Sequence, residues 1–501
     1  MDEAAHHRVA LAAILALGGL LRLVHLGAIG LNSDEAVYLG QAAALARVPQ
    51  LADLFPIFRA HPLLVQSLLA IVMRLAPVDI AGRLLAVAFG LATVWLTYQT
   101  GRLLYGRTAG LAAGLLLAVM PYHVVVTRQV LLDGPMTLFA TLSLYLLARF
   151  AIDRRPRWLY AAGASLGLTV LSKETGIVLL AAVYAFLALT PSLRLRLRDL
   201  LLATATMALV LAPYPLSLAL AGNLGTSRSQ QYLVWQLSRR PNHEWDFYPT
   251  AVGPAIGLLV LLLAVIGLLL PRRQSGFQRT LLAAWITVPL VFFQLWPVKG
   301  FHYLLLIAPP VAILAGAGLA QLPPRLSLDA QRRPLPAAAL AAVLLAGWLG
   351  VHAYQAILGP SQGRFLAGSG GVPGGREAGL WLADNSPQGS TLMTIGPSMA
   401  NILQFYGQRR ALGLSVSPNP LHRNPAYQPV RNPDFELRTG EIQYVVWDAY
   451  SANRSSFFSE KIQAYANRYH GRAVHTETMT FTSPSGEPVT QPVIIIYEVR
   501  P

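Results

Sequence analysis

Two adjacent carboxylates, Asp34 and Glu35, stand in the run Leu31-Asn32-Ser33-Asp34-Glu35-Ala36, directly after an apolar stretch that starts at Val9. A further acid, Asp133, ends the run Thr127-Arg128-Gln129-Val130-Leu131-Leu132-Asp133 before Gly134-Pro135, and Lys173-Glu174 follows Leu171-Ser172. Later come Arg239, Arg240 and His243, then Lys299-Gly300-Phe301-His302-Tyr303. A carboxylate can take a proton from an attacking group, and cations can neutralise a phosphate on which charge develops. Acids and cations at the ends of apolar segments therefore suit a reaction on a phosphate-linked lipid, provided that one membrane face collects them.

The elements that must position these residues are set by composition. Of 501 residues, 54% are hydrophobic and only 12% are charged, which excludes an ordinary soluble domain and points to a polytopic membrane protein. The first apolar stretch lacks a small-residue cleavage pattern and many further spans follow, so it reads as a span rather than a signal peptide. Cysteine is absent, which excludes disulfides and thiolate chemistry. The formal charge of +16 falls mostly in short loops between spans, where anionic lipid headgroups rather than nucleic acid are the expected partner.

Apolar segments near 9–29, 80–104, 108–127, 134–151, 158–172, 174–191, 199–221, 252–270, 280–297, 303–322 and 336–357 predict about eleven transmembrane helices. Arg102 and Arg107, Arg154 with Arg155 and Arg157, Arg194 with Arg196 and Arg198, Arg272 with Arg273 and Arg279, and Arg325 with Arg332 and Arg333 occupy every second loop. Basic loops stay cytoplasmic, so the N-terminus is expected inside, and Arg128, Lys173 and Lys299 fall in the outer loops. The apolar segment His61–Leu75 is too short to span and would invert this alternation if it did. It reads as an interfacial helix in the first external loop, 30–79. Residues 34–47 read as a second one, with Ser33 as the N-cap and both acids in the first turn.

Beyond residue 357 the long apolar runs end. Short segments at 376–385, 391–395, 398–406, 444–447, 457–470 and 493–499 alternate between helical and extended patterns, while 413–433 is rich in proline. The expected division is thus 1–357, a transmembrane domain, and 358–501, an external α/β domain with a partly parallel sheet.

The outer face then collects Asp34, Glu35, Arg59 and His61, next Arg128 and Asp133, then Lys173 and Glu174, then Arg239, Arg240 and His243, and finally Lys299, His302 and Tyr303. Each has an ordinary alternative. Asp34 and Glu35 complement a helix dipole, and as helix neighbours they point about 100° apart, against service in a single site. Asp133 before Gly-Pro fits a turn, Lys173 can snorkel to the interface, Lys299 can anchor a span end, and His243 fits a loop. Convergence on one face carries the functional reading.

The ordered set Ser33-Asp34-Glu35-Ala36-Val37-Tyr38, His61-Pro62-Leu63-Leu64, Arg128 to Asp133-Gly134-Pro135, Leu171-Ser172-Lys173 and Lys299 to Tyr303 resembles the membrane glycosyltransferases of the C-type fold. The resemblance is to the bacterial branch near protein O-mannosyltransferases and the aminoarabinose transferase of lipid A, and it covers the whole chain. It implies transfer of a sugar from a polyprenyl-phosphate carrier to an acceptor (protein, lipid or glycan) outside the cytoplasmic membrane, usually with inversion. It further implies Asp34 as general base, Glu35 in support, Asp133 in the catalytic cavity, and Arg128, Lys173, Lys299, His302 and Tyr303 around the donor phosphate. Arg59, His61, Arg239, Arg240 and His243 are loop candidates for substrate contact. A divalent metal, if used, would fall to Asp34, Glu35, Asp133 or His243. The sequence departs from the aminoarabinose branch at Ala60-His61, where that branch has a Glu-Lys pair.

Val446-Trp447-Asp448-Ala449-Tyr450 faintly resembles the Trp-Trp-Asp-Tyr-Gly motif of oligosaccharyltransferases, but its first Trp and last Gly are missing and a strand end with a turn explains it. The rival class is a transporter or flippase. Such proteins gather polar groups near the bilayer midplane in inverted repeats. Here no repeat is visible, and Arg22 and Arg83 lie toward span ends.

Overall fold

The computed structural model describes residues 3–57, 61–193, 195–220, 235–236, 238–269, 276–321, 337–358, 370–419, 422–424, 427–482 and 486–500. Each of the eleven expected apolar segments is mostly helical over its described part. Among the described residues seven helices are long and apolar enough to cross a bilayer: Ala5–Leu23, Asp79–Tyr105, Asp133–Asp153, Leu197–Leu220, Phe277–Leu295, Phe301–Leu319 and Ala338–Leu358. The pair Tyr248–Ile256 and Leu258–Leu269, bent by 85°, makes an eighth if it is one broken span. Length alone thus supports seven or eight crossings rather than eleven. The remaining three segments are short because the backbone breaks them. Pro121 starts a new helix after Val119, Arg155 is extended before Pro156, and Lys173 is extended between Ser172 and Glu174.

Close helix packing in this layer uses small residues. A Cβ on Gly316 would meet the carbonyl oxygen of Ala109, so the Ala308–Leu319 helix approaches the Arg107–Val119 helix at backbone distance. The buried core here runs from Ile14 through Leu116, Leu144 and Trp285 to Ile313.

The first external loop holds the two short helices expected of it, Ser33–Ala46 and Leu64–Leu75. The cap of the first is Asn32, not Ser33. The Asn32 side chain accepts from the Asp34 and Glu35 amides, and the Glu35 carboxylate accepts from the Asn32 amide, a reciprocal capping box that only a residue three before Glu35 can form. Both helices are covered as well as seated on the spans. Leu39, Ala43, Leu69 and Met73 share a core with Leu392, Ile402, Leu403 and Ile494 from beyond residue 357.

That later part is a five-stranded sheet in the order β2-β1-β3-β5-β4, with β1 Thr391–Thr394, β2 Arg410–Gly413, β3 Tyr444–Asp448, β4 Arg472–Thr482 and β5 Pro488–Glu498. β1 pairs in parallel with β2 and β3, and β5 runs antiparallel to β3 and β4. The helices Gly375–Asn385, Pro397–Gly407 and Ser456–Arg468 flank it. Arg376 ties the sheet region to the first span: its guanidinium donates to the carbonyls of Gly27 and Ala28.

Candidate active site

Asp34 and Glu35 diverge. Glu35 is fully buried, and both of its oxygens are occupied: Arg83 Nε donates to Oε1 at 2.9 Å and Nη2 to Oε2 at 2.8 Å, while the Val130 and Asn32 amides complete the shell at 3.0 Å. Arg83 also donates to the carbonyls of Leu26, Ile29 and Gly30. Glu35 therefore fastens the helix start to the Asp79–Tyr105 helix. Asp34, half-buried in the same helical turn, accepts no hydrogen bond or ion pair among the described residues. It lies within electrostatic reach of Tyr303, Tyr427 and Tyr450.

Asp133, at the start of the Asp133–Asp153 helix, is buried and held by Lys173 Nζ, 2.9 Å from each carboxylate oxygen. His302 Nε2 stands 3.7 Å from Oδ2. Lys173 in turn lies 4.6 Å from the centre of the Tyr303 ring. Burial alone would lower the Lys173 ammonium's pKa, but Asp133 overrides that and raises it, so the cation persists. The 301–307 turn is set by the Tyr122 hydroxyl, which donates to the Phe301 carbonyl at 2.6 Å. Gly300 makes room for it: a Cβ there would press on the Tyr303 ring at 2.8 Å.

Lys299 is buried and anchored by Asn242, whose amide group donates to the Lys299 carbonyl at 2.9 Å while its oxygen accepts from the Lys299 amide at 2.8 Å. Its ammonium lies 5.6 Å from the Trp245 ring centre. His243 stacks on Phe247, with 4.0 Å between ring centres. Burial, then Arg454 and Lys299, push the His243 imidazole below its usual pKa, so it is neutral at pH 7. Arg239 packs on Trp235 at 4.6 Å and is within electrostatic reach of Tyr303 and Tyr427. Arg240 is exposed.

The remaining expected residues fall elsewhere. His61 Nδ1 pairs with Glu174 Oε2 at 2.7 Å. Arg128 is not brought to Asp133 and Lys173. It donates to the Val24 carbonyl and faces Glu35 and Arg83 instead. Arg59 lies outside the described residues. Among the described residues no three His, Asp or Glu side chains converge as metal ligands, and Glu35 and Asp133 are already committed to Arg83 and Lys173. Asp34, Glu35, Asp133 and His243 thus do not fit a shared metal site.

Three residues near Asp34 or His243 were not among the sequence's site candidates: Tyr427, Tyr450 and Arg454. Arg454 lies 4.4 Å over the Tyr450 ring, and both follow β3 through the short Ala449–Ala452 helix, capped by Asp448. The Trp447-Asp448-Ala449-Tyr450 signal had marked this place, as a strand end and turn, without linking it to Asp34.

Residues 60–217 match the model of the family described as dolichyl-phosphate-mannose-protein mannosyltransferase. ArnT from Cupriavidus metallidurans, in its crystal structure bound to undecaprenyl phosphate, aligns with a TM-score of 0.71 over 97% of both chains at 15% identity. The chain has the C-type glycosyltransferase fold. The Archaeoglobus fulgidus oligosaccharyltransferase shares this fold at a TM-score of 0.61 and 13% identity, over 97% of this chain and 74% of that one. The mycobacterial arabinofuranosyltransferase AftD aligns at 0.55 and 16% identity, over 100% of this chain and 40% of that one. Among curated proteins none matches. With its long apolar helices and this C-type fold, the chain is a multi-pass membrane protein.

Proposed function

We propose that this protein transfers a sugar from a polyprenyl-phosphate donor to an acceptor on the outer face of the cytoplasmic membrane, with inversion. Asp34 carries the reading, as the acid among Asp34, Glu35 and Asp133 whose carboxylate is left without a hydrogen bond or ion pair among the described residues. Asp34 takes the proton of the acceptor hydroxyl as its oxygen bonds to the anomeric carbon. The bond from that carbon to the phosphate oxygen breaks, and the carrier leaves as polyprenyl phosphate. Lys299 and Arg239, with Lys173 behind Asp133, supply the positive field that stabilises the departing phosphate. His302 and Tyr303 shape this wall. ArnT of Cupriavidus metallidurans holds undecaprenyl phosphate, which supports a carrier of this class here.

In this reading the N-terminus is cytoplasmic, the chain crosses eleven times using its short and broken segments, and residues 358–501 form an external domain over the site. The test is Asp34→Asn in membranes supplied with labelled polyprenyl-phosphate sugars. Transfer falls by at least 10³-fold, the scale of losing a general base and its field, while thermal unfolding in detergent is unchanged. Transfer at the unsubstituted rate overturns the assignment.

A further inference from the structure

A second polar cleft lies apart from the Asp34 site, at the C-terminal end of the first span. His25, Leu26, Arg83, Arg128, Ala356 and Gly370 line a small cleft of about 50 Å³, which none of Asp34, Asp133, Lys173 or Lys299 reaches. The ends of two long apolar helices, Glu3–Leu23 and Ala337–Leu358, meet there, which places it at headgroup depth.

Its charge is unbalanced. Arg83 is neutralised by Glu35. Arg128 is more than nine-tenths buried and spends Nη2 on the Val24 carbonyl, while its Nη1 has no hydrogen-bond partner among the described residues. Arg22 stands behind it within electrostatic reach, wholly buried and bound only to neutral groups: Thr127 Oγ1, His123 Nδ1 and the carbonyls of Gly18 and Ala118. Three guanidiniums thus stand near two carboxylates, Glu35 and Asp79, and neither Arg22 nor Arg128 has an ion pair among the described residues. A buried guanidinium without a counter-charge carries an unrepaid desolvation penalty, which an anion in the cleft offsets.

We infer that this cleft binds the phosphate group of a membrane lipid, with the Arg128 guanidinium, which lines it, as the cation that holds it. Guanidinium suits the task because its planar fork matches phosphate oxygens. The cleft shares no residue with the acids and cations placed around the donor above; its one link to Asp34 runs through Arg83 and Glu35.

The test uses the full chain in phosphatidylcholine nanodiscs, to which phosphatidylglycerol, undecaprenyl phosphate or inorganic phosphate is added, with thermal unfolding as the readout. Arg128→Gln removes the donor. Gly370→Glu sets a carboxylate at the rim, where a Cβ meets nothing within 4 Å, so this variant folds even if the first does not. One of the lipids raises the unfolding temperature by several degrees, and both variants lose most of that rise while Arg74→Gln, outside the cleft, keeps it. The lipid that acts names the source, and a response to inorganic phosphate alone denies the lipid anchor and overturns the proposal. No response in any arm, or a rise retained in Gly370→Glu, overturns it equally.

Discussion

Glu35 receives two guanidinium hydrogen bonds from Arg83 although neither side chain is more than 5% exposed. The pair joins the external helix Ser33–Ala46 to the Asp79–Tyr105 helix and so fixes the direction in which the neighbouring Asp34 projects. Breaking one half of a buried pair leaves the other charge stranded, at about 3–5 kcal/mol. Glu35→Gln and Arg83→Met should each destabilise the protein on that scale, and the two together should cost less than the sum of the single changes. Thermal unfolding in detergent checks this. Additive losses would mean that the two side chains act independently.

Lys173 and Asp133 form the second buried pair, and here the geometry offers a substitute partner. In Lys173→Met the His302 imidazole remains, with Nε2 3.7 Å from Asp133 Oδ2. A hydrogen bond from it can take up part of the lost role, so the variant should keep part of the transfer activity. Adding His302→Gln to Lys173→Met should abolish that remainder. Equal transfer in the single and double variants would exclude His302 as the replacement partner.

Asp448 makes a stability prediction that is separate from catalysis. Its Oδ1 caps the Ala449–Ala452 helix through the Ser451 amide, and Oδ2 is buried without a partner among the described residues. Burial raises its pKa from 3.8 to about 6, against the lowering effect of Ser451. An acid with a raised folded-state pKa contributes most below its unfolded value and loses that contribution as pH climbs through the folded value. Stability should therefore fall between about pH 4 and 6. Asp448→Asn keeps the capping oxygen and should stabilise by up to about 3 kcal/mol at pH 7.5, with no gain near pH 4. Equal gains at both pH values would show that charge is not the cause.

Local chemistry was legible in the sequence, and partners distant in the chain were not. The helix over 34–46 followed from the acids in its first turn, yet its cap was assigned one residue late, because Ser33 also suits that role and only the reciprocal bond between Asn32 and Glu35 decides between them. Strands β1, β3 and β5 stood out as β-branched or apolar runs, whereas β2, Arg410–Gly413, is four residues with little β preference, held by parallel pairing to β1. In the sequence Arg22 and Arg83 stand out only as charges toward span ends. Their partners, His123 and Glu35, lie 101 and 48 residues away, beyond any periodic pattern. The same holds for Tyr427 and Tyr450, which come to Asp34 from 393 and 416 residues downstream.

That long-range approach yields the last prediction. Tyr450 sits under Arg454 and within electrostatic reach of Asp34, and burial with the nearby Asp34 holds its hydroxyl up at about 12 despite Arg454. The hydroxyl is thus protonated at working pH, beside the carboxylate proposed to deprotonate the acceptor. The cations proposed to face the phosphate, by contrast, stand on the loops around 239 and 299. Tyr450→Phe should therefore raise KM for the acceptor about five- to tenfold, the loss of one neutral hydrogen bond at about 1 kcal/mol, and leave KM for the donor lipid unchanged. Arg239→Gln should do the reverse. Separate titration of donor and acceptor in the transfer assay distinguishes the two, and a Tyr450→Phe effect on the donor alone would place the acceptor on another side of Asp34.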